Sequence, residues 1–240
     1  GTLYGRNTIG GAIKYVTRNL NPDDAQISVR GNIGNYEQTD LIVSASAPLN
    51  QDLRLGAAVA RLSRGGFGRN LTTGEENYNK DVWAYRGTLE AGSQDSFFFR
   101  LTGDLTHDRS NTRGGHRLIT SRLSNAPVLA DEFDSRGGLV TPKQDIKAWG
   151  IHNRVEWAVT DQITLKNILA YRKDRSATPI DFDALPAADV DVPAIYRNRQ
   201  FSEEFQAVFE GDRVNGILGA YYLNARARNI FDVVLATTGT

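Results

Sequence analysis

Apolar and polar residues alternate with a period of two along most of this chain, the signature of strands that show a different face to each of two environments. Ile27, Val29, Gly31 and Ile33 alternate with Ser28, Arg30 and Asn32. Leu41, Val43, Ala45 and Ala47 repeat the pattern, and Leu53, Leu55, Ala57 and Val59 repeat it again. The clearest stretches set Trp83, Tyr85, Gly87, Leu89 and Ala91 against Arg86, Thr88 and Glu90, then Phe97, Phe99, Leu101, Gly103 and Leu105 against Arg100, Thr102 and Asp104. Trp149, Ile151, Val155, Trp157 and Val159 oppose His152, Arg154 and Glu156, while Ile163, Leu165, Leu169 and Tyr171 oppose Thr164, Lys166 and Arg172. Phe201, Phe205, Ala207 and Phe209 oppose Gln200, Ser202, Glu204 and Gln206. Ile217, Gly219, Tyr221, Leu223 and Ala225 close the apolar set, against Leu218, Ala220, Tyr222, Asn224 and Arg226. The pattern predicts about nine strands, many of about ten residues or more, and no helix.

The connections sort into two kinds. Turns at 48–52, 92–95, 160–162 and 211–215 are short; those at 65–77, 109–143, 174–199 and after 229 are long. From Pro48 onward the two kinds alternate, and the short turn at 34–39 is the exception. In an up-and-down sheet every second turn lies at the same end, so one end is trimmed and the other elaborated. Transmembrane β-barrels have this asymmetry; a Greek-key sandwich does not sort this way. Trp83, Tyr85, Trp149, Trp157 and Tyr171 fall near strand ends, where amphipathic rings suit a membrane–water interface. A tilted strand needs ~9–11 residues to cross a bilayer, whereas strands of soluble sheets are commonly ~5–6. The expected fold is therefore all-β: an antiparallel up-and-down transmembrane barrel, of which about nine strands are present.

Composition narrows this. The 240 residues carry 28 Lys+Arg and 28 Asp+Glu, so nucleic-acid binding has no electrostatic footprint. There is no Cys, hence no disulfide framework and no thiolate metal site. There is no Met, even at position 1, which leads to the expectation that the chain is an excerpt of a longer one. No run of about 18 apolar residues occurs, so no transmembrane helix is expected, and this leaves a barrel open.

The first residues stand apart. Four glycines occupy the first eleven positions and a short apolar alternation from Ala12 to Thr17 reads as one strand. Asn21, Pro22, Asp23 and Asp24 then make a turn cluster and a boundary. The glycines lack the G-K-[ST] of a phosphate loop and any following helix, so they read as sites of close backbone packing. Gly1, Leu3, Tyr4, Gly5, Gly10, Gly11, Ile13, Thr17 and Arg18 fit a pattern close to G-x-L-Y-G-x-x-x-x-G-G-x-I-x-x-x-T-[KR]. The segment resembles the last part of the plug domain of TonB-dependent outer-membrane receptors. Lys14 departs from it, since the family often has Asn there. The run from Leu165 to Arg172, the Asp-rich stretch after it, Phe201 to Phe205, and Val214 to Tyr222 resemble the siderophore-receptor-like branch in the same order.

The resemblance implies residues 1–22 as the end of a plug and 23–240 as the first part of a barrel. It implies a non-enzymatic receptor in the Gram-negative outer membrane. Its partners would be outer-membrane lipid, a ferric siderophore or another scarce solute (haem, cobalamin or an oligosaccharide), and the TonB complex, reached through a preceding segment. No cofactor is implied. A passive porin-like barrel and a soluble all-β ligand-binding protein are the alternatives.

Candidate chemistry is sparse. Arg86, Glu90, Arg100, Asp104, Arg154, Glu156, Lys166 and Arg172 share the polar face and are expected to line a lumen and hold the plug by ion pairs. His107, His116 and His152 lack metal-ligand spacing and read as solvated. Asp181, Asp183, Asp189 and Asp191 crowd one stretch that could offer oxygen ligands to Ca²⁺; lacking an EF-hand order, they read as a solvated acidic loop. Gly92-Ser93 lacks a nucleophile elbow. Residues 109–143 and 174–199 are expected to form the outer ligand-binding surface.

Overall fold

The computed structural model describes residues 17–122, 124–138, 143–187 and 190–235. The strands are β1 (Gln26–Gly34), β2 (Gln38–Pro48), β3 (Leu53–Arg64), β4 (Gly68–Arg69), β5 (Glu76–Asn77), β6 (Lys80–Gly92), β7 (Phe97–Asp108), β8 (Asp145–Thr160), β9 (Ile163–Asp181), β10 (Val190–Glu210), β11 (Asn215–Phe231) and β12 (Val234–Leu235). Nine of them pair side by side in the order β1-β2-β3-β6-β7-β8-β9-β10-β11, each antiparallel to the next. β12 adds to β10, and β4–β5 form a small separate hairpin. There is no helix among the described residues. The up-and-down order follows from the short turns, since a connection of a few residues can only join neighbouring antiparallel strands.

Register keeps one set of side chains together across the sheet. Val43 lies opposite Val59, Val59 opposite Tyr85, Tyr85 opposite Leu105, and Leu105 opposite Trp149. We call this the aromatic face. The other face carries the row Arg54–Glu90–Arg100–Arg154. Because the side-chain period is two, a slip of one residue would exchange the faces, so the alternation itself pins the register.

Two expectations are corrected. The stretch 174–199 is not a long loop: β9 and β10 continue as a ladder from Asp174–Asn198 up to Asp181–Asp191, leaving only 182–189 between them. Pro179 and Pro193, which argue against strand in sequence, face each other in that ladder. On their other sides β8 ends opposite Ala177 and β11 ends opposite Ala194, so neither Pro is asked for a bond there. In β11 the faces are reversed. Tyr222 lies opposite Glu203 and Leu218 opposite Ala207, which puts Leu218, Ala220 and Tyr222 on the aromatic face and Ile217, Tyr221 and Leu223 on the polar one. Both sides of this strand are apolar, so alternation alone does not choose between them; the hairpin at 211–214 does.

Thr17, expected to end a strand, lies outside regular structure, and the rest of that expected strand falls outside the described residues. The boundary at Asn21 is a side-chain-closed turn, whose Oδ1 accepts from the amides of Asp23 (2.8 Å) and Asp24 (3.3 Å).

Candidate functional site

Glu90 is the centre of the polar face and is 0 % exposed. It lies opposite Arg54 on β3 and Arg100 on β7. Arg100 donates to it through Nε at 2.7 Å and also through Nη2, and Arg54 Nε stands 3.4 Å away. A buried carboxylate is tolerated only when paired and fully hydrogen-bonded. The remaining donor comes from outside the sheet: the Leu20 amide, 3.1–3.2 Å from the two carboxylate oxygens.

Arg100 completes the contact. Its guanidinium donates to the Thr17 carbonyl (3.4 Å), the Arg18 carbonyl (3.3 Å) and Asn19 Oδ1 (2.6 Å). Gly56, two strands away on the same face, leaves room for the Leu20 side chain; a Cβ there would come within 2.9 Å of it. Residues 17–20 are thus clasped to the wall by charge, amide and shape together. Arg54 was absent from the sequence candidates, although its place between Leu53 and Leu55 puts it on this face.

Further along, Phe98 is buried between Arg100 and Arg154, whose guanidinium carbons lie 5.7 and 5.9 Å from its ring centre. Glu156 accepts from Arg154 Nε (2.8 Å) and faces Lys166 Nζ at 3.4 Å. Arg172 grips Asp104 with two bonds of 2.9 and 3.2 Å, passing over Gly150, where a Cβ would meet its side chain. Arg86 is opposite Asp104 and exposed. The eight polar-face candidates therefore share one side, seven of them in three ion-paired groups and Arg86 at their margin. Thr17 and Arg18 meet it through their carbonyls; Gly1, Leu3, Tyr4, Gly5, Gly10, Gly11 and Ile13 lie outside the described residues.

At the elaborated end, described parts of the connections that follow β3, β7 and β9 pack on one another. Phe67 stacks on Tyr78 at 4.8 Å and meets Phe133 edge-on at 5.1 Å. Tyr36, held at φ 59° in the β1–β2 turn, joins them at 5.8 Å. Asn70 and Asn77 are buried and bond across to Gly137 O (2.7 Å) and Ser135 Oγ (3.0 Å). Arg117 donates to the Asp183 carbonyl at 2.8 Å, and the Gly138 amide to Leu185 O at 2.9 Å.

The acidic stretch is not the solvated loop expected. Asp183 and Asp191 are buried, and they and Asp181 each bring an oxygen within 4.8 Å of the others. Burial, then the charges of Asp183 and Asp191, push the Asp181 carboxyl up to about 6, against the pull of the Ala184 amide. The fourth, Asp189, lies outside the described residues. His107 pairs with Asp145 at 2.7 Å, His116 lies 3.4 Å from the Asp134 carbonyl, and His152 is opposite Thr102 and Ala170; they do not meet.

No protein-family model and no curated protein matches the chain. Its fold, however, is shared. The ferric yersiniabactin uptake receptor FyuA of Yersinia pestis superposes with a TM-score of 0.71 at 15 % identity, over 90 % of this chain and 33 % of that one. The siderophore receptor PiuA of Acinetobacter baumannii gives 0.72 at 14 % identity, over 93 % and 33 %. The ferric-catecholate import receptor Fiu of E. coli K12, in its closed form, gives 0.65 at 10 % identity, over 91 % and 34 %. The chain spans about a third of the length of these structures. Its fold is that of the barrel wall of TonB-dependent siderophore receptors, as the opening motif led us to expect.

Proposed function

We propose that this chain is the plug–barrel junction and first wall segment of an outer-membrane receptor for energised uptake of a ferric siderophore or a similarly scarce solute. Residues 1–22 are the end of the plug and 23–240 the wall. The aromatic face meets lipid, and the polar face, with Arg86, Glu90, Arg100, Asp104, Arg154, Glu156, Lys166 and Arg172, meets the lumen and plug. Ligand binds among the outer loops; energy delivered through TonB rearranges the plug. No covalent chemistry is needed.

The observation that carries this reading is inverted burial. Glu90, Arg100, Arg54 and Glu156 are at most 6 % exposed, while on the inner strands of the other face Trp157 is 52 %, Tyr85 44 % and Leu105 41 % exposed. A soluble sheet buries its apolar face; a membrane barrel shows that face to lipid and keeps charge inside. The clasped segment 17–20 supports a plugged lumen over an open porin. Iron-starved cells carrying the full-length receptor should accumulate radioactive iron from a ferric siderophore, and a protonophore should stop them. Accumulation indifferent to the protonophore would favour the passive barrel.

A further inference from the structure

The aromatic face changes character abruptly above Tyr171 and Phe201. One row up, Trp149 is followed across the ladder by Lys173, Arg199 and Arg226. One row above that, Lys147 is followed by Arg175, Arg197 and Arg228. Seven exposed cations thus occupy two rows across β8–β11, in a chain whose total charge is zero. The acid beside them, Asp145, is already held by His107 at 2.7 Å and Lys147 at 3.9 Å. Neighbouring strands are ~4.8 Å apart, and like charges set directly opposite destabilise a sheet. An anion that bridges several of them would offset that repulsion. Directly below them stand Tyr171 and Phe201, and to one side, over β2–β8, runs an apolar trough of about 770 Å³ floored by Ala45, Ala57, Gly87 and Gly103, with Trp149 on its rim beside Lys173.

We propose that these rows bind the phosphate groups of membrane-lipid headgroups, whose acyl chains lie along the aromatic face and in the trough. The shape of the ligand follows from the shape of the site. Charge sits in a band above, apolar surface below, and an aromatic ring at the join. Guanidinium suits phosphate because its fork gives paired bonds, and five of the seven cations are Arg. The proposal rests on the reading of this face as lipid-facing.

The test uses the full-length receptor in bilayers of phosphatidylcholine doped with chain-brominated lipid. The dopant is phosphatidylglycerol in one series and phosphatidylcholine in the other. The Trp149 signal is obtained by difference from Trp149→Phe. We expect both dopants to quench Trp149, the anionic one several-fold more strongly, since each cation near an anionic surface favours it by a factor of about five. Raising salt should bring the two together. Replacing Arg197, Arg199, Arg226 and Arg228 by Gln should remove the preference and leave quenching by the neutral lipid. Equal quenching by both dopants in the unaltered protein overturns the proposal and leaves the barrel standing. So does a preference that survives the four substitutions. The salt series decides the matter even if that variant fails to fold. Absence of quenching by either lipid overturns the lipid-facing reading itself.

Discussion

The two faces of this one sheet solve opposite problems with the same backbone. On the aromatic face Val43, Tyr85, Leu105 and Trp149 stand in register with nothing of the described chain covering them. On the polar face Glu90 and Arg100 are withdrawn from solvent under residues 17–20. The usual rule, apolar in and charged out, is reversed. The difference teaches where specificity lies. The aromatic face needs only apolar area, and many residues serve. The polar face must satisfy each buried charge individually.

The sharpest way to break this contrast is to remove Glu90. Glu90→Ala leaves Arg54 and Arg100 buried without their counterion and takes the acceptor from the Leu20 amide. Breaking one partner of a buried ion pair costs ~3–5 kcal/mol. We expect that loss in thermal or denaturant unfolding of the full-length protein in detergent, with faster proteolysis after Arg18. Replacing Arg54, Glu90 and Arg100 together by apolar residues should cost less than Glu90→Ala alone. A loss under about 1 kcal/mol for Glu90→Ala would mean the clasp contributes little.

The faces can also be compared one residue apart. Val43 and Ser44 are neighbours on β2 and point to opposite sides. On the proposed reading Val43→Arg places a charge in lipid, a cost of ~2–4 kcal/mol near the bilayer midplane, whereas Ser44→Arg enters a polar lining and should cost about 1 or less. Equal costs, measured by reversible unfolding into detergent, would remove the distinction between the faces.

Most of the wall was legible in the sequence because a period of two is a strong signal over ten residues. It failed in β11, where Tyr221 and Tyr222 are both ring-bearing and the hairpin alone settles which faces out. It failed again over 174–199, expected as a loop, where the ladder runs on through Pro179 and Pro193 because no further neighbour needs their amides. The clasp was half legible. Parity placed Glu90 and Arg100 together, but no local pattern reveals that Leu20, some seventy residues from Glu90, supplies the last donor. The rows of Arg and Lys were also visible as alternation, at Lys173-x-Arg175, Arg197-x-Arg199 and Arg226-x-Arg228. A balanced net charge hid them.

Above the wall the ordinary rule returns, and a milder substitution sharpens the point. Phe67 sits inside the loop cap, against Tyr78 and Phe133. Each such ring pair is worth ~0.5–1.5 kcal/mol beyond its area. Phe67→Ala should therefore loosen the cap by about 1–3 kcal/mol, read as faster amide exchange around Tyr78 and Phe133, with wall exchange unchanged. Slowed wall closure or loss of the whole fold would show that cap and wall are one cooperative unit.

The smallest expected effect comes from a crowded trio of carboxylates that lacks what Glu90 has. Asp181 is crowded by Asp183 and Asp191 instead of by two arginines, and its carboxyl is pushed up to about 6. A free aspartate titrates near ~3.9. Between those values the folded corner holds a proton that the opened chain does not. Its stability is therefore fully present below the lower value and falls as pH rises through the higher one. The amides of Ala184, Leu185 and Val190, which donate to Asp181 and Asp183, report on this corner. Corrected for intrinsic rates, they should exchange more slowly at about pH 5 than at about pH 7.5, with a midpoint near 6, and Asp181→Asn should flatten the response. A response that survives Asp181→Asn would assign the proton to another member of the trio. Protection that rises with pH would mean that a cation, not a proton, neutralises these three carboxylates.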